Sequence, residues 1–206
     1  MNDEHFSHDQ GIQPTGGKKT KKDTAKAISG TLAMFLLAPV IALFLVAFVF
    51  QSYRVDGASM ESTLSNNDRL IVSKVPKTWS KITKEPYIPA RYDIIVFQKS
   101  ESFGLKEYDK IQLIKRVIAL PGEKVVIKNG VVTVYTSEQP EGFNVDEGQD
   151  YASNIGNTGG EVNVKVENDE VFVLGDNRNN SLDSRVFGPI NSNNIIGKLA
   201  FRIYPL

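Results

Sequence analysis

Ser59, Lys115 and the polar run Gly175–Arg185 are the places where this chain carries groups able to do chemistry. What is missing narrows that chemistry. The 206 residues contain no cysteine, which excludes disulfides, thiolate metal sites and a thiol nucleophile. The two histidines, His5 and His8, both lie in the polar N-terminal tail. From residue 9 onward there is no imidazole, so neither a Ser-His-Asp triad nor an H-E-x-x-H zinc site can form there. A hydrolase built from this chain must activate its nucleophile with Lys, Asp or Glu.

Ser59 sits in Val55-Asp-Gly-Ala-Ser-Met-Glu-Ser-Thr-Leu64, where Gly57 and Ala58 leave space around the backbone. Taken alone it is either a nucleophile or an ordinary solvated loop serine. Lys115 lies in Ile111-Gln-Leu-Ile-Lys-Arg-Val-Ile-Ala-Leu120. In a strand, alternate residues share a face, so Ile111, Leu113, Lys115, Val117 and Ala119 stand together and Lys115 is the one charge among them. Desolvation there lowers an ammonium pKa and yields the neutral amine that a histidine-free serine enzyme needs. The alternative is an edge-strand lysine reaching out to water. Gly175-Asp-Asn-Arg-Asn-Asn-Ser-Leu-Asp-Ser-Arg185 follows an apolar run. Counted as an EF-hand from Asp176, it has Ser181 where Gly is required and Phe187 where Glu is required, so calcium does not fit. A polar network remains, in which Asp176, Asp183, Arg178 and Arg185 pair and hold Ser181, as does a simple solvated loop.

The elements that must position these groups fall into three stretches. Residues 1–26 are polar, with Lys18, Lys19, Lys21, Lys22 and Lys26, and read as a disordered tail. Residues 27–50 carry no charge, and as a helix would reach about 36 Å, enough for a hydrocarbon core of about 30 Å. The run is too long for a cleaved signal peptide and no small-x-small site follows it, so an uncleaved transmembrane anchor is expected. The lysines before it place the N-terminus in the cytoplasm and residues 51–206 outside. The outer part is β in pattern. Short Val/Ile/Phe-rich runs occur at 69–73, 93–97, 111–120, 124–127, 131–135, 162–166, 170–174 and 195–203, with Asn129-Gly130 as a hairpin turn. Residues 137–161 lack that alternation, read as a loop-rich excursion, and are expected to tolerate shortening. With 24 Lys+Arg against 24 Asp+Glu, no bulk field draws the chain to nucleic acid.

Three segments in this order behind one anchor resemble the type I signal peptidases, serine proteases with a Ser-Lys dyad, in their compact Gram-positive form. Ser59-Met60 with Thr63-Leu64 is similar to the family's nucleophile box, and Arg91-Tyr-Asp-Ile-Ile-Val-Phe97 to its core strand. Lys115-Arg116-Val117-Ile118 through Pro121-Gly122 is similar to the general-base box. Gly175-Asp176-Asn177-Arg178 and Ser181 through Arg185 are similar to the last box. The resemblance implies that Ser59 attacks the scissile carbonyl and neutral Lys115 takes its proton. It implies that Ser181 orients the Lys115 amine, that Asp183 and Arg185 brace the loop with Asp176 and Arg178 in support, and that the Ser59 N–H joins an oxyanion hole. Substrates would be signal peptides of secreted preproteins with small residues before the cut. Tyr53, Val55, Met60, Leu64, Leu113 and Ile114 are the candidate pocket lining.

The expected fold is mainly β: a single transmembrane helix, then an antiparallel-sheet catalytic domain over 51–206 with a smaller inserted subdomain over roughly 128–168. The implied partners are those signal peptides, the lipid bilayer and the secretion translocon, with no metal, cofactor or nucleic acid. The implied location is the cell membrane. Two departures stand out. Ser62 occupies the usual place of a proline, and Gly57 the place where some relatives carry a serine that donates to the oxyanion. A self-cleaving repressor relative would need a DNA-binding region, for which the anchor and short tail leave no room. An inactive relative serving as an assembly factor for surface structures would be expected to lack Ser59 or Lys115.

Overall fold

The computed structural model describes residues 21–100 and 110–204, so the expected tail over 1–20 lies outside the described residues. The chain divides into two compact units, 1–43 and 44–206.

In the first unit, helix α1 (Lys21–Phe44) carries Pro39 within it. Its described apolar side chains, among them Met34, Phe35, Leu36 and Val40, are exposed. Among the described residues no helix is long and apolar enough to cross a membrane. The uncharged run changes structure part-way. The α-helix stops at Phe44, a π-helical turn covers Leu45–Val49, and Phe50 already opens a strand.

The second unit is built on two antiparallel sheets. The larger holds seven strands: β1 (Phe50–Arg54), β2 (Arg69–Ser73), β3 (Ile94–Ser100), β4 (Lys110–Ala119), β9 (Glu170–Leu174), β10 (Ile190–Asn191) and β11 (Ile195–Tyr204). Their spatial order is β1-β2-β11-β3-β4-β9-β10. The smaller sheet, in order β7-β6-β5-β8, is made of β5 (Lys124–Lys128), β6 (Val131–Tyr135), β7 (Phe143–Asn144) and β8 (Val162–Lys165). It is inserted in the chain between β4 and β9, which remain hydrogen-bonded neighbours in the larger sheet. Asn129 at φ 53° and Gly130 at φ 81° make the tight turn between β5 and β6, a left-handed pair of the kind such hairpins require.

The strands take the period-two pattern only where one face is wet. β2, β5 and β6 alternate, whereas β9 runs buried from Val171 to Leu174. One core cluster joins the two sheets: Ile118, Phe172 and Leu174 of the larger pack with Val125, Ile127, Val132 and Val134 of the smaller. The insertion is therefore seated on the main sheet by apolar burial. Two short helices complete the unit, α2 (Val75–Thr83) and α3 (Ser184–Phe187).

Candidate active site

Lys115 stands at the point where β4 gains its second neighbour. Its strand has β3 on one side, with Ile95 opposite Lys115, and β9 on the other from Arg116, which faces Leu174. The side chain turns inward rather than out to water, which removes the reading of a lysine reaching to solvent. Lys115 is 2% exposed. Its Nζ donates to Ser59 Oγ at 2.7 Å and to the Ile114 carbonyl at 2.9 Å. Burial pushes its ammonium down to about 8, against the pull of the Asp183 and Asp176 carboxylates, which favour the charge.

Ser59 reaches that amine because its turn is pinned from both sides. Met60 and Leu64 are buried in the core beneath it, and the Thr63 and Leu64 amides both donate to the Met60 carbonyl. From above, the Asn177 amide donates to the Ser59 carbonyl at 3.0 Å and its side chain donates to the Ala58 carbonyl at 3.1 Å. Gly57 stands at φ 100°, a conformation that disfavours any side chain there. Ser62 stands at φ 84°, which a proline ring, locked near −65°, cannot adopt.

The loop after β9 is a polar network, with partners different from those expected. Asp176 pairs with Arg116 through two bonds, Nε to Oδ1 at 2.8 Å and Nη2 to Oδ2 at 2.7 Å. Arg178 is fully buried and pairs with Asp146 of the insertion, each of its terminal nitrogens at 2.6 Å, while Nη1 also donates to Thr158 Oγ1. Tyr151 links the two pairs: its hydroxyl donates to Asp146 at 2.8 Å and its ring lies 4.1 Å from the Arg116 guanidinium. Asp183 and Arg185 pair with each other inside the loop. Asp183 accepts from Arg185 Nε and Nη2 at 2.8 and 2.9 Å and from the Gly175 amide at 3.1 Å.

Other expectations need correction. The Ser181–Lys115 hydrogen bond is not formed: the amine is occupied by Ser59 and the Ile114 carbonyl, and Ser181 Oγ is buried against Gly175 without a partner. A cleft of about 190 Å³ opens beside Ser59 and Lys115, lined by Tyr53, Val55, Leu113 and Ile114 together with Leu70 and Val96. Met60 and Leu64 do not line it, being consumed in the core. Sequence reasoning missed Arg116, Asp146, Tyr151 and Thr158. Arg116 had a signal, since a guanidinium between Ile114 and Ile118 on one strand face calls for a counter-ion. The others stand in a stretch with no periodic pattern.

An antiparallel β domain with a buried lysine on a serine hydroxyl is the setting of a serine-type hydrolase, and comparison with known proteins names the family. The model of the family described as signal peptidase, peptidase S26, matches residues 28–204. A signal peptidase I of Leptolyngbya laminosa is 38% identical over 171 residues, covering 82% of this chain and 76% of that protein. Signal peptidase I P of Bacillus subtilis subsp. natto is 34% identical over 174 residues, covering 83% and 86%. A crystal structure of a signal peptidase I from Enterococcus faecalis V583 overlays on 54% of this chain and 97% of its own at 26% identity, with a TM-score of 0.41, too loose a fit to carry the fold. The chain belongs to the signal peptidase family, peptidase S26. It is a signal peptidase I enzyme, a serine protease acting in signal-peptide processing.

Proposed function

We propose that this chain cleaves signal peptides from exported preproteins with Ser59 as nucleophile and Lys115 as general base. The observation that carries this is the 2.7 Å contact between Lys115 Nζ and Ser59 Oγ on a buried lysine. With a pKa of about 8, about one amine in ten is neutral at pH 7, against about one in 2,500 for an ordinary lysine. Neutral Lys115 takes the hydroxyl proton as Ser59 Oγ bonds to the scissile carbonyl carbon. The Ser59 amide N–H faces the resulting oxyanion. The ammonium then gives its proton to the departing amine as the C–N bond breaks. Water attacks the acyl-serine and gives a proton to Lys115; the acyl C–Oγ bond then breaks, Lys115 returns that proton to Ser59 Oγ, and the acid product leaves.

Two features support the substrate class. The cleft is small, well below the volume of ordinary ligand pockets, which suits small side chains next to the cut. Residues 110–115 of β4 have no β9 partner, because β9 pairs only from Arg116 onward. An extended peptide can add to that edge and bring its carbonyl to Ser59. The inactive assembly-factor reading loses ground because both groups are present and in contact.

Residues 27–50 anchor the enzyme in the cell membrane, with 1–26 in the cytoplasm and 51–206 outside. The lack of charge over 27–50, the lysines before it and the outward apolar side chains of α1 support this. Incubating the purified full chain with a labelled preprotein tests the enzymatic reading: wild type releases the signal peptide, and Ser59→Ala releases none. Protease added outside intact cells tests the topology. It should digest epitopes in 51–206 and spare one at residues 1–15, and the reverse pattern would overturn the orientation.

A further inference from the structure

Helix α2 is built inside out. Val75, Trp79 and Ile82 stand at spacings of four and three, so they form one stripe. A soluble domain turns such a stripe inward. Here Val75, Trp79 and Ile82 are 46%, 64% and 69% exposed, and no residue of the helix is buried. The face turned to the protein is polar: Lys77 Nζ donates to the Ser192 carbonyl at 3.2 Å. The outward stripe therefore has no cover from the domain itself.

Its place in the fold says what covers it. The Lys74 amide donates to the Val49 carbonyl at 2.7 Å, and Thr78 Oγ1 to the Phe48 carbonyl at 3.0 Å. The helix is thus fastened to the outer end of the apolar run. Residues 74–85 carry Lys74, Lys77, Lys81 and Lys84 against the single acid Glu85. Beside the helix lies a groove of about 780 Å³ lined by apolar Phe44, Phe48, Ile82 and Ile195 and by cationic Lys77 and Lys81. Burial and neighbouring Lys81 push the Lys77 ammonium below its usual value, a penalty that an anion between them would reverse.

We infer that α2 is an interfacial helix that lays Val75, Trp79 and Ile82 into the headgroup–acyl boundary of an anionic bilayer, with Lys77, Lys81 and Lys84 meeting lipid phosphates. A tryptophan-bearing apolar stripe backed by lysines is the pattern of helices that lie in a membrane surface. The inference rests on the anchoring of residues 27–50 proposed above. It adds a second attachment that fixes the domain's height and tilt over the bilayer, and with them the approach to the β4 edge.

Trp79 is the single tryptophan of the chain, so its emission reports this helix alone. The full-length protein is reconstituted into vesicles of phosphatidylcholine, with or without a minority of phosphatidylglycerol, and floated on a density gradient. Fluorescence is recorded with acyl chains brominated near the headgroup or near the bilayer centre. The expected result is a blue-shifted emission, quenched several-fold more by the shallow label than by the deep one. Phosphatidylglycerol should strengthen the effect. Lys81→Glu with Lys84→Glu should abolish that strengthening while flotation persists. Protein that floats but shows unshifted, unquenched Trp79 emission would overturn the interfacial helix and leave the anchor standing. A blue shift that follows protein concentration in detergent, with no lipid quenching, would assign the stripe to a second copy and also overturn it. Protein that is quenched but is stripped from the vesicles by alkaline carbonate, which a spanning helix resists, would keep the helix and refute the anchor.

Discussion

Arg178, in the loop that follows β9, is held by Asp146, 32 residues earlier in the insertion, with both terminal nitrogens of the guanidinium at 2.6 Å from the carboxylate. The insertion thus reaches the loop whose Asn177 clamps the Ser59 carbonyl. Removing one partner of a buried ion pair leaves the other uncompensated and costs about 3–5 kcal/mol. Asp146→Ala should lose stability on that scale and lose cleavage with it. Thermal melts and preprotein cleavage of the full-length variant check this.

Shortening of 137–161 should depend on where it is done. Residues 137–141 are exposed and bond only locally, so deleting them should leave cleavage within about twofold of wild type. Deletions that take out Asp146, Tyr151 or Thr158 should abolish it, because each touches the network that holds Arg116 or Arg178. Equal tolerance of both deletions would show that the network does not position the site.

Gly175 has no room for a side chain. A Cβ there would overlap Ser181 Oγ and the Ser59 carbonyl oxygen, the latter a backbone atom that cannot swing aside. Gly175→Ala should therefore displace the nucleophile turn and lower kcat by about 10², a typical cost of a misplacement near 1 Å. Adding Ser181→Ala should recover little, since the backbone clash remains. Single-turnover rates on both variants, with melting curves to separate misplacement from unfolding, make the test.

The buried amine carries a stability signature of known sign. In the folded chain Lys115 loses its proton at about 8, while an unfolded lysine keeps it to ~10.4. Between those values the folded state binds fewer protons, so the Lys115 contribution makes stability rise with pH across that window. Below pH 8 the penalty is complete, about 3 kcal/mol for a depression of this size. Lys115→Met should thus be more stable than wild type at pH 7 by up to that amount, with the gap closing above pH 8. Denaturant melts at pH 7 and pH 10 measure it.

Much of the fold was legible because strands announce themselves. β6 and β9 fall on the expected boundaries, as does β2, since each is a short apolar run between turn residues. The lysine on an apolar face was legible for the same reason. β1 was hidden because its first residue, Phe50, ends the uncharged run. α2 was hidden because its apolar stripe is short and set among lysines. The identity of the ion pairs was not legible: Asp176, Asp183, Arg178 and Arg185 lie close in sequence, yet only Asp183 and Arg185 pair with each other. The partners Arg116 and Asp146 come from a neighbouring strand and from the insertion, and strand order, which no local pattern encodes, decides that. Met60 and Leu64 were misread as pocket lining because an apolar residue beside a nucleophile serves core or pocket equally well until the chain is folded.

The measurement that bears most directly on the Ser59–Lys115 pair is single-turnover cleavage of a preprotein as a function of pH, for wild type and Lys115→Arg. The rate of the wild type should rise through an apparent pKa of about 8, set by the buried amine, rather than near the ~6.5 of an imidazole. Arginine keeps the charge but does not give up its proton, so Lys115→Arg should cleave nothing at any pH while remaining folded. If Lys115→Arg kept even about a tenth of the wild-type rate, or if the wild-type rate were flat between pH 6 and pH 10, Lys115 would not be the base and the proposed mechanism would be wrong.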